Sequence, residues 1–369
     1  MKVIISAGGT GGHIYPAIAI INKLKEKDKN LKIMYIGTTD RMEKDIIPNL
    51  GIEYVGIKIK GLSKNPVKCL DAILCTLKSV NICKKIIKKF NPDIVIGVGG
   101  YVTVPVIYSA KKLGIKTILH EQNSVVGKAN KFLSKYADTI CVSMKSTINS
   151  FNHKNVVFTG NPRSEEAVNA KKADKQKYGL SISKKLVVIT TGSLGAQTVN
   201  KKIEEALPKL STKNYEVLLI TGKNNYEEMK KITHGKNIKI VPYVDDMLNL
   251  LHTTDLIVSR AGASTISEIT ALAIPSILIP SPYVANNHQF LNAKDLVEHK
   301  ASILLEEKEL TADNLVENID KILNDKTLYK ELSNNAKELG VDNSATRIYN
   351  EISKLLKEVN INEWNYKFY

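Results

Sequence analysis

Short apolar, β-branched runs recur along this chain, each followed by a stretch whose apolar residues fall three and four apart. One set of runs occupies residues 2–6, 32–36, 93–97, 116–119, 139–142 and 156–159. A second occupies 186–190, 216–220, 238–241, 256–259, 276–279 and 302–305. Runs of this kind suit strands buried on both faces, and the helical period between them suits the covering layers. The pattern therefore predicts an α/β protein of parallel βαβ units from end to end. Gly160-Asn161-Pro162-Arg163 separates the two sets and suits a hinge. The chain has 369 residues, room for two domains. They are placed at 1–160 and 164–340, with the helical segment 345–359 crossing back to brace the first. Both sets open with a strand, a glycine turn and a helix start. Two doubly wound, Rossmann-like domains facing each other would gather their glycine loops around one central cleft.

Composition changes this picture only a little. The net charge is +16, which favours anionic partners such as nucleic acid, acidic lipid or phosphorylated metabolites, although a lysine-rich composition accounts for it equally well. Of the four arginines, Arg163 and Arg260 stand beside glycine motifs. The four cysteines, Cys69, Cys75, Cys83 and Cys141, form no C-x-x-C pair and read as reduced thiols rather than metal ligands. No apolar run approaches the roughly 20 residues of a spanning helix, and no secretory pattern opens the sequence, so a cytoplasmic location is expected.

Four loops carry candidate chemistry: Gly8–His13, Gly97–Tyr101, 191–195 and Arg260–Glu268. Each follows a predicted strand and precedes a predicted helix, an arrangement that presents backbone N–H groups to a phosphate. A dinucleotide fingerprint read from Gly9 fails, because Ile14 stands where glycine is required. His13 at a helix start would be kept neutral and suit a general base, or it closes the turn by bonding backbone. Thr265 and Glu268 have capping-box spacing, yet Glu268 equally suits a ribose diol. Ser193 can cap its helix or bind a pyrophosphate oxygen. The polar cluster His120-Glu121-Gln122-Asn123 follows a predicted strand and is expected to emerge at the cleft rim. His288-Gln289 can simply start a helix. No Asp-x-Asp clamp lies near a glycine loop, so helix dipoles and N–H groups would stabilise a leaving diphosphate.

Gly8-Gly9-Thr10-Gly11-Gly12-His13-Ile14-Tyr15-Pro16, Gly99-Gly100-Tyr101-Val102, His120-Glu121-Gln122-Asn123-Ser124, Gly160-Asn161-Pro162, Gly192–Ala196, Tyr243–Met247 and Arg260–Glu268 occur in this order. Together they resemble the MurG family of bacterial peptidoglycan enzymes, over roughly residues 1–357. The resemblance implies a GT-B fold and GlcNAc transfer from UDP-GlcNAc to the C4 hydroxyl of lipid I, giving lipid II, by an inverting reaction without metal or cofactor. It implies that Thr10, Gly11 and Gly12 help form the diphosphate and sugar site, with His13 as the base and Glu121 and Tyr101 on the acceptor side. Asn123 would contact the donor sugar, and Ser193 and Arg163 the diphosphate. Val244, Ala263, Ser264 and Thr265 would surround uracil, Glu268 would take the ribose, and His288 and Gln289 would read the GlcNAc hydroxyls. The implied partners are UDP-GlcNAc, lipid I and an anionic membrane surface, with no nucleic acid, and the location becomes the cytoplasmic face of the membrane. This chain departs from the family pattern at Val104, Val126 and Thr191, and Val104 puts close backbone approach at its loop in question.

Three rivals stay in view: a UDP-GlcNAc 2-epimerase or glycolipid synthase of similar architecture, a nicotinamide oxidoreductase, and a non-enzymatic nucleotide-sugar sensor. For membrane contact, Lys58, Lys60, Lys64 and Lys68 surround Gly61-Leu62, and a helical run puts Leu70, Ile73, Leu74 and Leu77 on one stripe. That stripe either packs on the sheet or faces lipid. The aromatic tail with Trp364, Tyr366, Phe368 and Tyr369 suits an interfacial anchor or a disordered end.

Overall fold

The structure, a computed structural model, describes residues 1–61, 65–192 and 195–366, with side chains to residue 357. Two compact units divide the chain: Met1–Arg163 with Asn343–Tyr369, and Ser164–Asp342. Each is a parallel sheet wound on both faces by helices.

The first unit contains β1 (Lys2–Ser6), β2 (Lys32–Thr38), β3 (Glu53–Ile57), β4 (Ile94–Gly97), β5 (Lys116–Glu121), β6 (Thr139–Val142) and β7 (Val156–Phe158). Their order is β3-β2-β1-β4-β5-β6-β7, all parallel. Helix Gly11–Lys27 buries Ile14, Ala17, Ile20, Ile21 and Leu24 on one face of the sheet. Ile348, Ile352 and Leu355 of helix Ser344–Tyr366 complete that layer. Helices Pro66–Phe90 and Thr103–Lys112 cover the other face through Cys83, Ile87, Val106, Ile107 and Ala110. Helix Pro66–Phe90 starts where Asn65 Oδ1 accepts from the Val67 and Lys68 N–H groups at 3.0 and 3.2 Å, with Pro66 preset for the first helical position.

The second unit contains β8 (Leu186–Thr190), β9 (Glu216–Ile220), β10 (Ile238–Val241), β11 (Leu256–Ser259), β12 (Ser276–Leu278) and β13 (Ile303–Leu304), in the order β10-β9-β8-β11-β12-β13. Helices Gln197–Leu210 and Ala312–Asn324 bury Val199, Ile203, Leu207, Leu315, Ile319 and Ile322 against it. Burial on both faces explains the unbroken apolar strands.

Strand order reverses between β1 and β4 in the first unit, and between β8 and β11 in the second. At such a point neighbouring loops diverge to opposite faces and leave a crevice beyond the strand ends. All four glycine loops singled out above follow these four strands. β3 was absent from the sequence reading. It is an edge strand interrupted by Gly56, so it lacks the continuous apolar run of its neighbours.

Candidate active site

In the first unit the loops after β1 and β4 are built into each other. Gly8 N–H donates to the Gly99 carbonyl at 3.3 Å. A Cβ on Gly100 would lie 2.5 Å from the Gly8 oxygen, and one on Gly99 would lie 2.5 Å from His13 Cδ2. Both glycines also have positive φ, 115° at Gly99 and 86° at Gly100, so any larger residue is excluded twice over. Val104 lies past these positions in the first turn of helix Thr103–Lys112 and packs on the core, so it does not alter the approach of the loops.

His13 Nδ1 lies 3.1 Å from the Gly8 carbonyl oxygen and 3.5 Å from Thr10 Oγ1. A carbonyl only accepts, so this contact requires Nδ1–H and places the neutral ring's lone pair on Nε2. The contact that closes the turn thus also fixes the orientation of the ring. Thr10 is the N-cap of helix Gly11–Lys27 without a side-chain cap bond, and its carbonyl receives the N–H groups of His13 and Ile14. Gly11 and Gly12 form the first turn. Arg163 stacks over the Tyr15 ring at 5.8 Å, which brings it to this helix start. Tyr101 lies beside the Arg41 guanidinium, whose proton it helps to hold.

The His120 cluster departs from its expected placement. β5 extends through Glu121, so His120, Glu121 and Gln122 are buried rather than emerging at a rim. Gln122 Nε2 donates to the Val98 carbonyl at 2.7 Å and to His120 Nδ1 at 2.9 Å, while His120 Nε2–H donates to the Gly160 carbonyl at 3.1 Å. Burial pushes the His120 imidazole down to about 4. Glu121 Oε1 accepts from the Asn123 N–H, and Oε2 from the Gly127 N–H and Asn130 Nδ2, at 3.1, 3.0 and 2.8 Å. A carboxylate enclosed in this way orders the loop that carries Asn123. Both of its oxygens are engaged within the protein and the residue is buried.

Sequence reasoning missed Glu43. It is fully buried at the start of helix Glu43–Asn49. Its Oε2 accepts from the Gly9 N–H at 3.2 Å, and its Oε1 from the Thr38 N–H and hydroxyl at 3.1 and 2.8 Å. The Gly8 and Gly9 N–H groups are therefore spent inside the protein. The sequence trace is that a Cβ on Gly8 would meet Glu43 Oε1 at 2.3 Å, and one on Gly37 would meet Glu43 Cγ at 2.8 Å.

In the second unit, helix Ala263–Ala271 begins after Gly262, its N-cap, with no side-chain cap bond. Thr265 is therefore already the third helical residue and the capping box is not formed. Glu268 is buried one turn further on, and the Ser264 hydroxyl is buried without a partner among the described residues. Asn292 Nδ2 donates to the Ala261 carbonyl at 3.2 Å and ties helix His288–Glu298 to this loop. At that helix start, His288 Nδ1 bonds the Ala285 carbonyl at 2.8 Å, and Gln289 Oε1 accepts from the Ser281 N–H at 2.8 Å. Val244 is buried on the segment after β10. Thr191 donates to Asn200 Oδ1 at 3.1 Å and so fixes the loop after β8 through its own side chain. Ser193 lies outside the described residues. No group of ligating side chains suited to a metal occurs among those described.

Helix Pro66–Phe90 carries the second candidate surface. Its buried residues are Ala72, Ser79, Cys83 and Ile87, while Val67, Leu70, Ile73, Leu74 and Leu77 are exposed, Val67 by 77%. Lys58, Lys60, Lys68 and Lys78 are exposed around them. The stripe does not pack on the sheet. Lys64 and the side chains of the aromatic tail lie outside the described residues. No helix among those described is long and apolar enough to cross a membrane.

Comparison with known proteins identifies the family. Residues 3–142 match the glycosyltransferase family 28 N-terminal domain, and residues 186–348 its C-terminal domain. The UDP-N-acetylglucosamine–N-acetylmuramyl-(pentapeptide) pyrophosphoryl-undecaprenol N-acetylglucosamine transferase of Bacillus cytotoxicus is 44% identical over 97% of this chain and 100% of its own. The crystal structure of Acinetobacter baumannii MurG superposes with a TM-score of 0.78 at 27% identity, covering 96% of this chain and 99% of that one. UDP-GlcNAc 2-epimerase from Neisseria meningitidis, bound to UDP-GlcNAc, shares the fold at a TM-score of 0.65 and 16% identity, over 96% of this chain and 100% of that one.

Proposed function

The chain belongs to glycosyltransferase family 28, with the two-domain GT-B fold, and we propose from that premise how its residues divide the reaction. It transfers GlcNAc from UDP-GlcNAc to lipid I, giving lipid II. His13 is the general base. Its Nε2 takes the proton from the acceptor C4 hydroxyl as that oxygen bonds to the anomeric carbon, while the bond from that carbon to UDP breaks. One displacement of this kind inverts the anomeric centre. The observation that carries the assignment is the Nδ1 contact to the Gly8 carbonyl, which fixes the ring with its basic nitrogen at Nε2.

Gly11 and Gly12 supply first-turn N–H groups to the donor's diphosphate and sugar, with Thr10 beside them. Arg163, ordered on Tyr15, and Ser193 serve the diphosphate, and Asn123 serves the donor sugar on the loop that Glu121 braces. Tyr101 lies on the acceptor side. In the second unit Val244, Ala263, Ser264 and Thr265 enclose uracil, and the buried Ser264 hydroxyl, without a partner among the described residues, supports a ligand at this helix start. Glu268 accepts from the ribose hydroxyls, and His288 and Gln289 read the GlcNAc. The diphosphate leaves without a metal ion, and the enzyme works at the cytoplasmic face of the membrane. The exposed apolar stripe of helix Pro66–Phe90, ringed by lysines, is its contact with an anionic bilayer.

The test is UDP release from UDP-GlcNAc with and without a lipid I analogue, in the wild type and in His13→Ala. We expect acceptor-dependent release that the substitution lowers by about 10²-fold or more, with UDP binding retained. Release without acceptor would favour an epimerase-type or hydrolytic reaction, and wild-type rates in His13→Ala would remove the base.

A further inference from the structure

The Gly9 N–H and the Gly8 carbonyl belong to one peptide group. On one side Glu43 Oε2 accepts from the N–H at 3.2 Å; on the other, His13 Nδ1–H donates to the oxygen at 3.1 Å. The order is carboxylate, peptide, imidazole, with Nε2 beyond. We propose that Glu43 is a positioning residue for the base, whose carboxylate acts through the Gly8–Gly9 peptide to fix the His13 tautomer and strengthen Nε2 as a proton acceptor. This rests on His13 being the base.

Three features of the site support the relay. A carboxylate accepting from the N–H draws the peptide's electrons toward its oxygen, so the carbonyl holds Nδ1–H more strongly and an imidazolium is better stabilised. His13 also stands in the first turn of a helix, where the backbone dipole disfavours a positive ring, and Glu43 supplies the opposing charge. The glycines complete the path: the missing Cβ atoms of Gly8 and Gly37 make room for the carboxylate, and those of Gly99 and Gly100 make room for the ring and the Gly8 oxygen. No proton passes to Glu43. The acceptor proton stays on Nε2, and the carboxylate steadies the resulting charge from a distance.

The other groups facing this pair do not imitate it. From β5, His120 interacts with His13, but burial keeps His120 neutral down to about pH 4. Arg41 feels Glu43 and Tyr101, the titratable group of the β4 loop. Tyr35 and Tyr54 pack near Glu43, with hydroxyls that donate to the Ala7 and Thr38 carbonyls, and burial holds both phenols protonated.

The experiment follows the His13 ring proton by NMR across pH in the wild type and in Glu43→Gln, beside the pH profile of kcat/KM. A unit charge about 8 Å from an imidazole, at an effective dielectric of about 20, moves its titration by about 1.5 pH units. We expect the His13 midpoint and the acid limb of kcat/KM to fall together by that amount, with the plateau about threefold lower. A purely structural role lowers the active fraction and leaves both midpoints in place. Should the variant fail to fold, the wild type labelled with ¹³C at the glutamate carboxyl gives the answer, since the Glu43 resonance is expected to shift at the His13 midpoint. A folded Glu43→Gln with an unmoved His13 midpoint, or a wild-type Glu43 carbon that ignores it, overturns the relay. If the His13 midpoint falls while the acid limb stays, the relay stands and the base assignment fails instead.

Discussion

Replacing Leu70, Leu74 and Leu77 together by serine separates a lipid-facing helix from a sheet-packed one. These side chains are 60%, 51% and 58% exposed. Fully burying a leucine is worth about 1.5–3 kcal/mol, so residues already part-covered gain about 1 kcal/mol each on entering a bilayer surface, or about 3 kcal/mol for the three. That corresponds to a loss of about 100-fold or more in vesicle partition. Folding stability should barely change, because surface substitutions usually stay within about 0.5 kcal/mol each. Had the stripe packed on the sheet, each truncation would cost about 2–5 kcal/mol, enough together to unfold the unit. Sedimentation with vesicles rich in anionic lipid gives the partition, and thermal melting of the same samples gives the stability. A melting temperature lowered by many degrees, or partition equal to the wild type, would refute the reasoning.

Glu268→Gln should raise the KM for UDP-GlcNAc without changing the melting temperature, since the helix holding Glu268 is not capped by it; loss of stability with an unchanged KM would reverse this assignment. EDTA should leave initial rates unchanged, and activity lost to the chelator but restored by Mg²⁺ or Mn²⁺ would show a metal at the diphosphate. His120 is neutral when folded down to about pH 4 but gains a proton near pH 6.5 when unfolded, so its contribution to stability falls as pH drops through that window. Urea unfolding at pH 7.5 and pH 5 should show a smaller loss for His120→Gln than for the wild type, and equal losses would contradict the burial argument.

Much of the architecture could be read in the sequence because both sheets are covered on both faces, which forces continuous β-branched strands with helical periods between them. β3 escaped because an edge strand with Gly56 and only partial burial carries little of that signal. At the site, the glycine loops announced their positions but not their partners. Gly8 looked like a residue for a ligand, whereas the atom it makes room for belongs to Glu43. Glu43 itself stands in an unremarkable Met42-Glu43-Lys44 stretch and acquires its role only when helix Glu43–Asn49 brings it behind β1. Periodicity correctly marked the Leu70–Leu77 stripe as one face of a helix. It could not say which face the sheet takes, because the covered face is built from the less conspicuous Ala72, Ser79, Cys83 and Ile87.

Helix Ser344–Tyr366 belongs to the first unit although the whole of the second unit precedes it in the chain. During synthesis, then, the surface that Ile348, Ile352 and Leu355 cover over helix Gly11–Lys27 stays open until some 180 further residues have been made, about 10–40 s at ordinary elongation rates. The second unit, by contrast, is one uninterrupted stretch and can close as soon as it leaves the ribosome. The half of the molecule begun first is therefore the half finished last, and a nascent chain stalled after Asp342 would hold a complete second unit and an incomplete first one.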